Sequence, residues 1–491
     1  MLQTHSDLPT SYQYGAPLSN LIAEVVRASQ WLAPRHQLAD DDVTLRWVGR
    51  FISVVICATG SSALYWAGRT APRTSGNSHR IGVYAALTYA FAYELVTQAR
   101  YTVTDASVVA LCAWTLAAAG MYVRTRRIVW AVTSIVAAGV TFSFKFPAVV
   151  VVMVPMACIA AVAPGTNRRG RAAQLYLLLG AGPIALGCFV ILNPHFVDHW
   201  PQASHDLAQR IAQTRNGGFS YCYRRQPGLN HLESALTALF AHTFSRSVAI
   251  SSIFGTSALT GIIISVCQRF TLLSVAAAHA LAVICGFTLT TSAFLLRNYL
   301  IAVPAMCLGV GVALESISKG LDRPITSASW ATRCKRTLPI FLLVPLGIFT
   351  LHDSIMNHRL SRDTRMLALD WIHDHSSKPT SVVSLTPSVV GPPEHVGPNI
   401  DQYLDRGPSI QFKGHPTNCG ALERLLPDFV VSASFRGRDA PTTPYIERWY
   451  ITECAGYEKV ASFDANPYEA TFLLYPTWAG RISTIVLARR Q

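Results

Sequence analysis

Charge is scarce in this chain. Asp, Glu, Lys and Arg make up 14 % of its 491 residues, against 51 % hydrophobic residues and a mean hydropathy of +0.30. A soluble protein of this length does not need so much apolar surface for its cores, so the surplus must face lipid. Acids are the scarcer sign, 27 against 41 Lys and Arg, for a formal net charge of +14. No basic stripe with interleaved aromatics accompanies that excess, which excludes a nucleic-acid partner. No Cys and His spacing resembles a zinc site, so neither a metal nor another cofactor is expected. A basic start followed by a short apolar core and a small-residue cleavage site is missing too, which excludes a signal peptide at Met1.

Long apolar runs are abundant. About ten approach the ~20 residues that a bilayer requires. They fall near 47–67, 81–99, 105–123, 128–144, 146–163, 173–193, 247–267, 271–293, 299–316 and 337–352, with a further interfacial stretch near 232–245. Basic clusters mark every second connection: Arg69, Arg73 and Arg80; Arg124, Arg126 and Arg127; Arg168, Arg169 and Arg171; Arg269; and Lys319, Arg323, Arg333, Lys335 and Arg336. By the positive-inside rule these connections are cytoplasmic. The turns near 100–104, 144–146, 194–231 and 294–298 then lie outside, with everything after about residue 352. The first span leaves residues 1–46 outside as well, where the amphipathic stretch Leu18–Leu32 reads as a helix on the membrane surface.

The expected fold class is therefore mostly α: a polytopic transmembrane bundle of about ten spans with a small C-terminal α/β extracytoplasmic domain. Its divisions are a juxtamembrane segment (1–46), a helical transmembrane domain with an outer loop at 194–231 (47–352) and a soluble α/β domain (353–491). In the last, Thr364–Ser376 reads as an amphipathic helix. Short β-rich runs follow at Ser381–Leu385, Asp428–Ser434, Lys459–Phe463, Ala470–Tyr475 and Thr484–Ala488. The Pro-, Gly- and His-rich segment 386–420 reads as a long loop. Seven cysteines sit in apolar spans as small hydrophobes. Cys419 and Cys454 fit either a disulfide of an oxidising compartment or two free thiols.

Several segments on the outer side carry a family likeness: Gln98–Ala106 (QARYTVTDA), Thr141–Pro147 (TFSFKFP), Ile191–Phe196 (ILNPHF), Arg297-Asn298-Tyr299 before a span with Pro304, and Asp363–Ile372 (DTRMLALDWI). In order and spacing the chain resembles the GT-C type polyprenyl-phosphate-dependent membrane glycosyltransferases, which include protein O-mannosyltransferases and lipid A aminoarabinose transferases. The resemblance implies a hexosyl- or mannosyltransferase-like enzyme, and the Arg-rich inner loops, with no evident eukaryotic sorting signal, fit a bacterial inner membrane. Its partners would be the lipid bilayer, a polyprenyl-phosphate-linked sugar and an acceptor that is a glycolipid, a polysaccharide or a protein. The family's catalytic acid follows a first helix, and Leu8–Leu18 (LPTSYQYGAPL) resembles the stretch after that acid. The resemblance thus implies a start upstream of Met1. The alternatives are an inactive or truncated protein of the same fold, or a polysaccharide polymerase or flippase, which does not call for the α/β domain.

Transfer from a lipid-phosphate sugar needs a carboxylate to orient or deprotonate the acceptor hydroxyl and cations to stabilise the departing phosphate. Asp105 is the candidate carboxylate by resemblance, although an acid at that position also serves as an ordinary helix N-terminal residue. Lys145 interrupts two apolar runs, where mid-bilayer placement would cost about 3 kcal/mol. It, Arg100 and Arg297 are the candidates for donor phosphate, and both arginines also fit headgroup anchors. Tyr101 fits a sugar-stacking ring or the aromatic belt. Arg224 and Arg225, with Arg210 and Arg215, are candidates to contact substrate from the outer loop. His195, Asp198, His199, His205 and Asp206 show no repeated ligand pattern and read as a solvated loop.

Overall fold

The computed structural model describes residues 17–32, 42–70, 78–99, 104–162, 168–216, 223–224, 226–268, 271–294, 296–320, 329–360, 364–376, 380–384, 410–412, 422, 424–435, 456–463 and 482–489. Its elements in chain order are α1 (Pro17–Leu32), α2 (Asp42–Arg69), α3 (Ser78–Ala90), α4 (Tyr93–Ala99), α5 (Thr104–Thr125), α6 (Ile128–Phe144), a 3-10 segment (Phe146–Val152), α7 (Met153–Ala161), α8 (Arg168–Leu192), α9 (Pro194–Asp198), α10 (Trp200–Asn216), β1 (Tyr223–Arg224) and α11 (Leu229–Ala241). There follow α12 (Val248–Cys267), α13 (Thr271–Thr290), β2 (Ala293–Phe294), α14 (Leu296–Tyr299), a 3-10 turn (Leu300–Ala302), α15 (Val303–Gly320), α16 (Ser329–Leu360), α17 (Thr364–His375), β3 (Thr380–Ser384), β4 (Ile410–Phe412), β5 (Phe429–Phe435), β6 (Tyr457–Phe463) and β7 (Ile482–Arg489). They form two compact units, one of residues 1–218 and 224–351, the other of 219–223 and 352–491.

Among the described residues, six helical stretches are long and apolar enough to cross a membrane: Val48–Arg69, Thr104–Thr125, Arg171–Leu192, Val248–Cys267, Thr271–Thr290 and Arg297–Ser318. Shorter apolar helices cover Ile128–Phe144, Phe146–Ala161 and Phe341–Met356. The chain is a multi-pass membrane protein of the mostly helical class expected from its sequence. The span expected at 81–99 is broken between α3 and α4. No Pro or Gly marks Phe91 or Ala92, so the sequence carries no sign of the break. The freed backbone groups find partners, as they must in an apolar medium. Thr350 Oγ1 donates to the Phe91 carbonyl at 2.7 Å, and the Tyr93 and Glu94 N–H groups donate to the carbonyls of Phe244 and Thr243 at 3.2 and 3.1 Å.

The structure adds detail at two further places. Residues 194–216 of the outer loop are mostly helical, as α9 and α10. Pro194 and Pro201 stand at the first and second positions of these helices, where a missing N–H costs nothing, and Phe196, Ala203 and Leu207 pack with Phe189, Phe142 and Phe146. Helix α1 is amphipathic as read. Its Leu18 and Ile22 face the protein, joining Ile52 of α2, Val108 of α5, Phe144 of α6 and Ile301 in one core cluster.

In the second unit the sheet order is β4-β3-β5-β7-β6, with β3 parallel to both neighbours and β5, β7 and β6 antiparallel in turn. Alternation sorts the side chains. Val382, Val431 and Val486 meet Ala368 and Ile372 of α17 on one face, and Val383, Val430 and Leu487 meet Leu422 on the other. Asp428 pins the β3–β5 register, since its Oδ2 accepts from the Ser381 N–H at 2.8 Å and from Ser381 Oγ at 2.7 Å. Strands expected at 381–385, 428–434, 459–463 and 484–488 are present within a residue or two of their expected ends. That expected at 470–475, together with Cys419 and Cys454, lies outside the described residues. Strand β4 is an addition, inside the segment read as a loop.

Close approach of α12 and α15 depends on glycine, because lipid-embedded helices associate by packing rather than by hydrophobic exclusion. A Cβ at Gly261 would fall on the Gly309 carbonyl, and one at Gly309 on the Ala258 carbonyl. Gly261→Ala should therefore destabilise the bundle by about 1–3 kcal/mol, the usual scale of overpacking. At Gly286 of α13 nothing lies within 4 Å of an added Cβ, so Gly286→Ala is the matched control. Melting of the detergent-purified full chain reads the difference, and equal melting temperatures would refute the close-packing account.

Candidate functional site

Asp105, Lys145 and Arg297 come from three separate helix starts or breaks and converge on one buried point. Lys145 Nζ lies 2.5 Å from Asp105 Oδ1, and Arg297 Nη1 lies 4.0 Å from Asp105 Oδ2. The three side chains are between 3 and 5 % exposed. Each is placed by local chain geometry. Asp105 is the second residue of α5, where free N–H groups favour a carboxylate. The other end of α5 carries Arg124, whose Nη1 donates to the Arg69 carbonyl at 3.0 Å, so the acid and the arginine cluster occupy opposite ends of the helix.

Lys145 is the single extended residue (φ −157°, ψ 121°) between α6 and the 3-10 segment. Aromatic residues on alternate positions hold that break. Phe142 stacks on Phe189 at 4.7 Å, and Phe146 packs on Phe189 and Phe196 at 5.7 and 5.4 Å, whereas Phe144 turns into the cluster shared with α1. Asn193, at the end of α8, donates through Nδ2 to the Ser143 carbonyl at 3.3 Å and the Phe189 carbonyl at 3.1 Å. Pro147 suits the start of the 3-10 segment, where its lack of an N–H is harmless.

Arg297 sits on the one-turn helix α14. Two residues on, the Tyr299 hydroxyl is 2.8 Å from His231 Nε2, and His231 Nδ1 is 2.8 Å from the Thr291 carbonyl. A carbonyl only accepts, so Nδ1 carries a proton and donates to the Thr291 carbonyl, while Nε2 shares a hydrogen bond with the Tyr299 hydroxyl. This buried chain ties α11 to the turn bearing Arg297. Sequence reasoning missed His231, for which no pattern offers a signal. It also missed Glu94, 1 % exposed and accepting from Gln98 Nε2 at 3.0 Å. Its signal was present, a carboxylate inside an apolar run.

Arg100, Tyr101 and Arg225 lie outside the described residues, and Arg224 is described only as part of the β1 backbone. His195, Asp198, His199, His205 and Asp206 are distributed along α9 and α10. Among the described residues, no three His, Cys, Asp or Glu side chains gather as metal ligands.

Chemically, the arrangement offers two cations, with up to three and five N–H donors, around one carboxylate near the end of a membrane-embedded bundle. Such a centre can exchange an internal ion pair for a phosphate. The class of protein is thus a multi-pass membrane protein with a buried charged centre and an α/β unit after its last apolar helix. Comparison adds a likeness over part of the chain. The sequence model of the dolichyl-phosphate-mannose-protein mannosyltransferase family matches residues 41–194, which hold Asp105 and Lys145, and supports the GT-C type glycosyltransferase resemblance. Among solved structures, ArnT from Cupriavidus metallidurans bound to undecaprenyl phosphate is 12 % identical with a TM-score of 0.44, over 97 % of this chain and 88 % of that one. The same protein in the apo state is 12 % identical with a TM-score of 0.45 and the same coverage. No curated relative matches the chain.

Removing one member of a buried ion pair strands the other, which typically costs 3–5 kcal/mol. Lys145→Met should accordingly lower the melting temperature of the purified protein, and the double variant Asp105→Asn/Lys145→Met should lose less than the two single losses combined. Additive losses in this cycle would show that the two side chains are not energetically coupled.

Proposed function

We propose that the protein is an integral membrane glycosyltransferase that moves a sugar from a polyprenyl-phosphate donor to an extracytoplasmic acceptor with inversion at the anomeric carbon. The observation that carries this reading is the convergence of Lys145 and Arg297 on Asp105. Lys145 and Arg297 take the donor phosphate, and in doing so Lys145 releases the Asp105 carboxylate. The acceptor oxygen bonds to the anomeric carbon as the bond to phosphate oxygen breaks. The hydroxyl proton passes to Asp105 and the bonding electrons leave with the polyprenyl phosphate, whose added charge the two cations offset. A single displacement of this kind inverts configuration. In the same reading Arg100 adds to the phosphate site, Tyr101 faces the sugar, Arg224 and Arg225 meet the acceptor, and residues 353–491 lie on the extracytoplasmic side.

A second reading of Asp105 follows from its 2.5 Å contact with Lys145: a carboxylate that only positions the lysine. Asp105→Asn separates the two, because an amide still holds the lysine and cannot take a proton. For a proton acceptor, turnover of polyprenyl-phosphate-mannose by the full chain in nanodiscs should fall by about 10²–10⁴-fold, with binding of undecaprenyl phosphate undiminished. Lys145→Gln should weaken that binding. Wild-type rates in Asp105→Asn would leave only the positioning role. Wild-type protein that binds the lipid phosphate and turns over no polyprenyl-phosphate sugar would point to a binding protein of this fold.

A further inference from the structure

One face of α3 is flanked by two grooves, and Arg80 lies near the end of α3 that sits at the opposite end of α5 from Asp105. The larger, about 880 Å³, runs between α3 and α16, and its size falls in the range of small-molecule sites. Its wall combines Arg80, Val83 and Leu87 of α3 with Val344, Gly347 and Ile348 of α16. Gly347 contributes no side chain over Phe91, which keeps the groove open there. A smaller groove of about 320 Å³ lies between α2 and α3, bordered by Tyr65 and Trp66, and shares Val83 and Leu87 with the first. Val83 and Leu87 thus form a ridge with an apolar channel on each side.

The polar end of both channels is cationic. Arg80 begins the ridge, His79 Nδ1 lies 3.0 Å from the Tyr65 hydroxyl, and the Arg69 guanidinium sits 5.1 Å above the Trp66 ring. Among the described residues, no carboxylate pairs with Arg80. From Arg80 to Ala90 the helix rises about 15 Å at 1.5 Å per residue, half the ~30 Å hydrocarbon core. The site is therefore one leaflet deep, two-channelled and positively charged at its headgroup end. A single long polyprenyl chain fits this description poorly, since it would outrun one leaflet and leave one channel unfilled.

We propose that this surface binds an anionic glycerophospholipid of the leaflet at the arginine-rich end, its phosphate at Arg80 and His79 and its two acyl chains on either side of the Val83–Leu87 ridge. The test is native mass spectrometry of the detergent-purified full chain with dioleoyl phosphatidylglycerol or dioleoyl phosphatidylcholine added at equal concentration. The wild type should retain phosphatidylglycerol in preference by about five-fold, the weight of one cation at an anionic headgroup. Arg80→Gln should bring the two lipids close to parity, Arg80→Lys should keep the preference, and Val344→Trp should reduce retention of both lipids by filling the larger channel. Equal retention of the two lipids by the wild type, an undiminished preference in Arg80→Gln, or displacement of phosphatidylglycerol by equimolar undecaprenyl phosphate would overturn the proposal. The Arg80→Lys control separates loss of the headgroup contact from a general failure of the Arg80 variants to fold.

Discussion

The first unit is organised around the requirement that charge taken out of water be matched by charge. A carboxylate and two cations within 4.0 Å of it, each almost wholly buried, are tolerable only together. Three chain segments far apart in sequence must therefore end at one place, and the surrounding packing serves to bring them there. The aromatic stack of Phe142, Phe146, Phe189 and Phe196 fixes the lysine, the hydrogen bonds of Tyr299 and His231 fix the turn that bears the arginine, and the start of α5 supplies the acid.

The irregular backbone is concentrated at these places. Lys145 is extended between two helical segments, and Arg297 precedes a short 3-10 turn before α15 begins. Broken helices inside a membrane protein are costly unless their freed N–H and carbonyl groups are satisfied. Asn193 meets the Ser143 carbonyl beside the lysine, and the 243–244 carbonyls receive the N–H groups of α4. A break so provided for can project a charged side chain inward where a continuous helix would present it to lipid.

Much of this was legible in the sequence for a definite physical reason. Ionised side chains are expensive among apolar residues, so Asp105, Lys145 and Arg297 stood out, and the alternation of basic loops put all three on one side. Short runs rich in β-branched residues likewise announced β3, β5 and β7. The illegible parts are those governed by tertiary partners. The α3–α4 break has no Gly or Pro to signal it. His231 acquires its place from Tyr299 and Thr291, neither near it in the chain. The helices of 194–216 were hidden by their polar composition, since Phe196, Ala203 and Leu207 find their apolar partners on α6 and α8. The one-sided burial of α1 was visible as amphipathicity, but what it would lie against was not.

That docking of α1 also sets an order of events. Leu18 and Ile22 leave the ribosome before the surfaces they cover, because Phe144 and Ile301 of the same cluster are synthesised later. During synthesis α1 can meet Ile52 of α2 and Val108 of α5 early, but the part of its cover formed by Phe144 and Ile301 is added later. The cluster that α1 shares beside Asp105 and Lys145 therefore closes only after most of the bundle has been built.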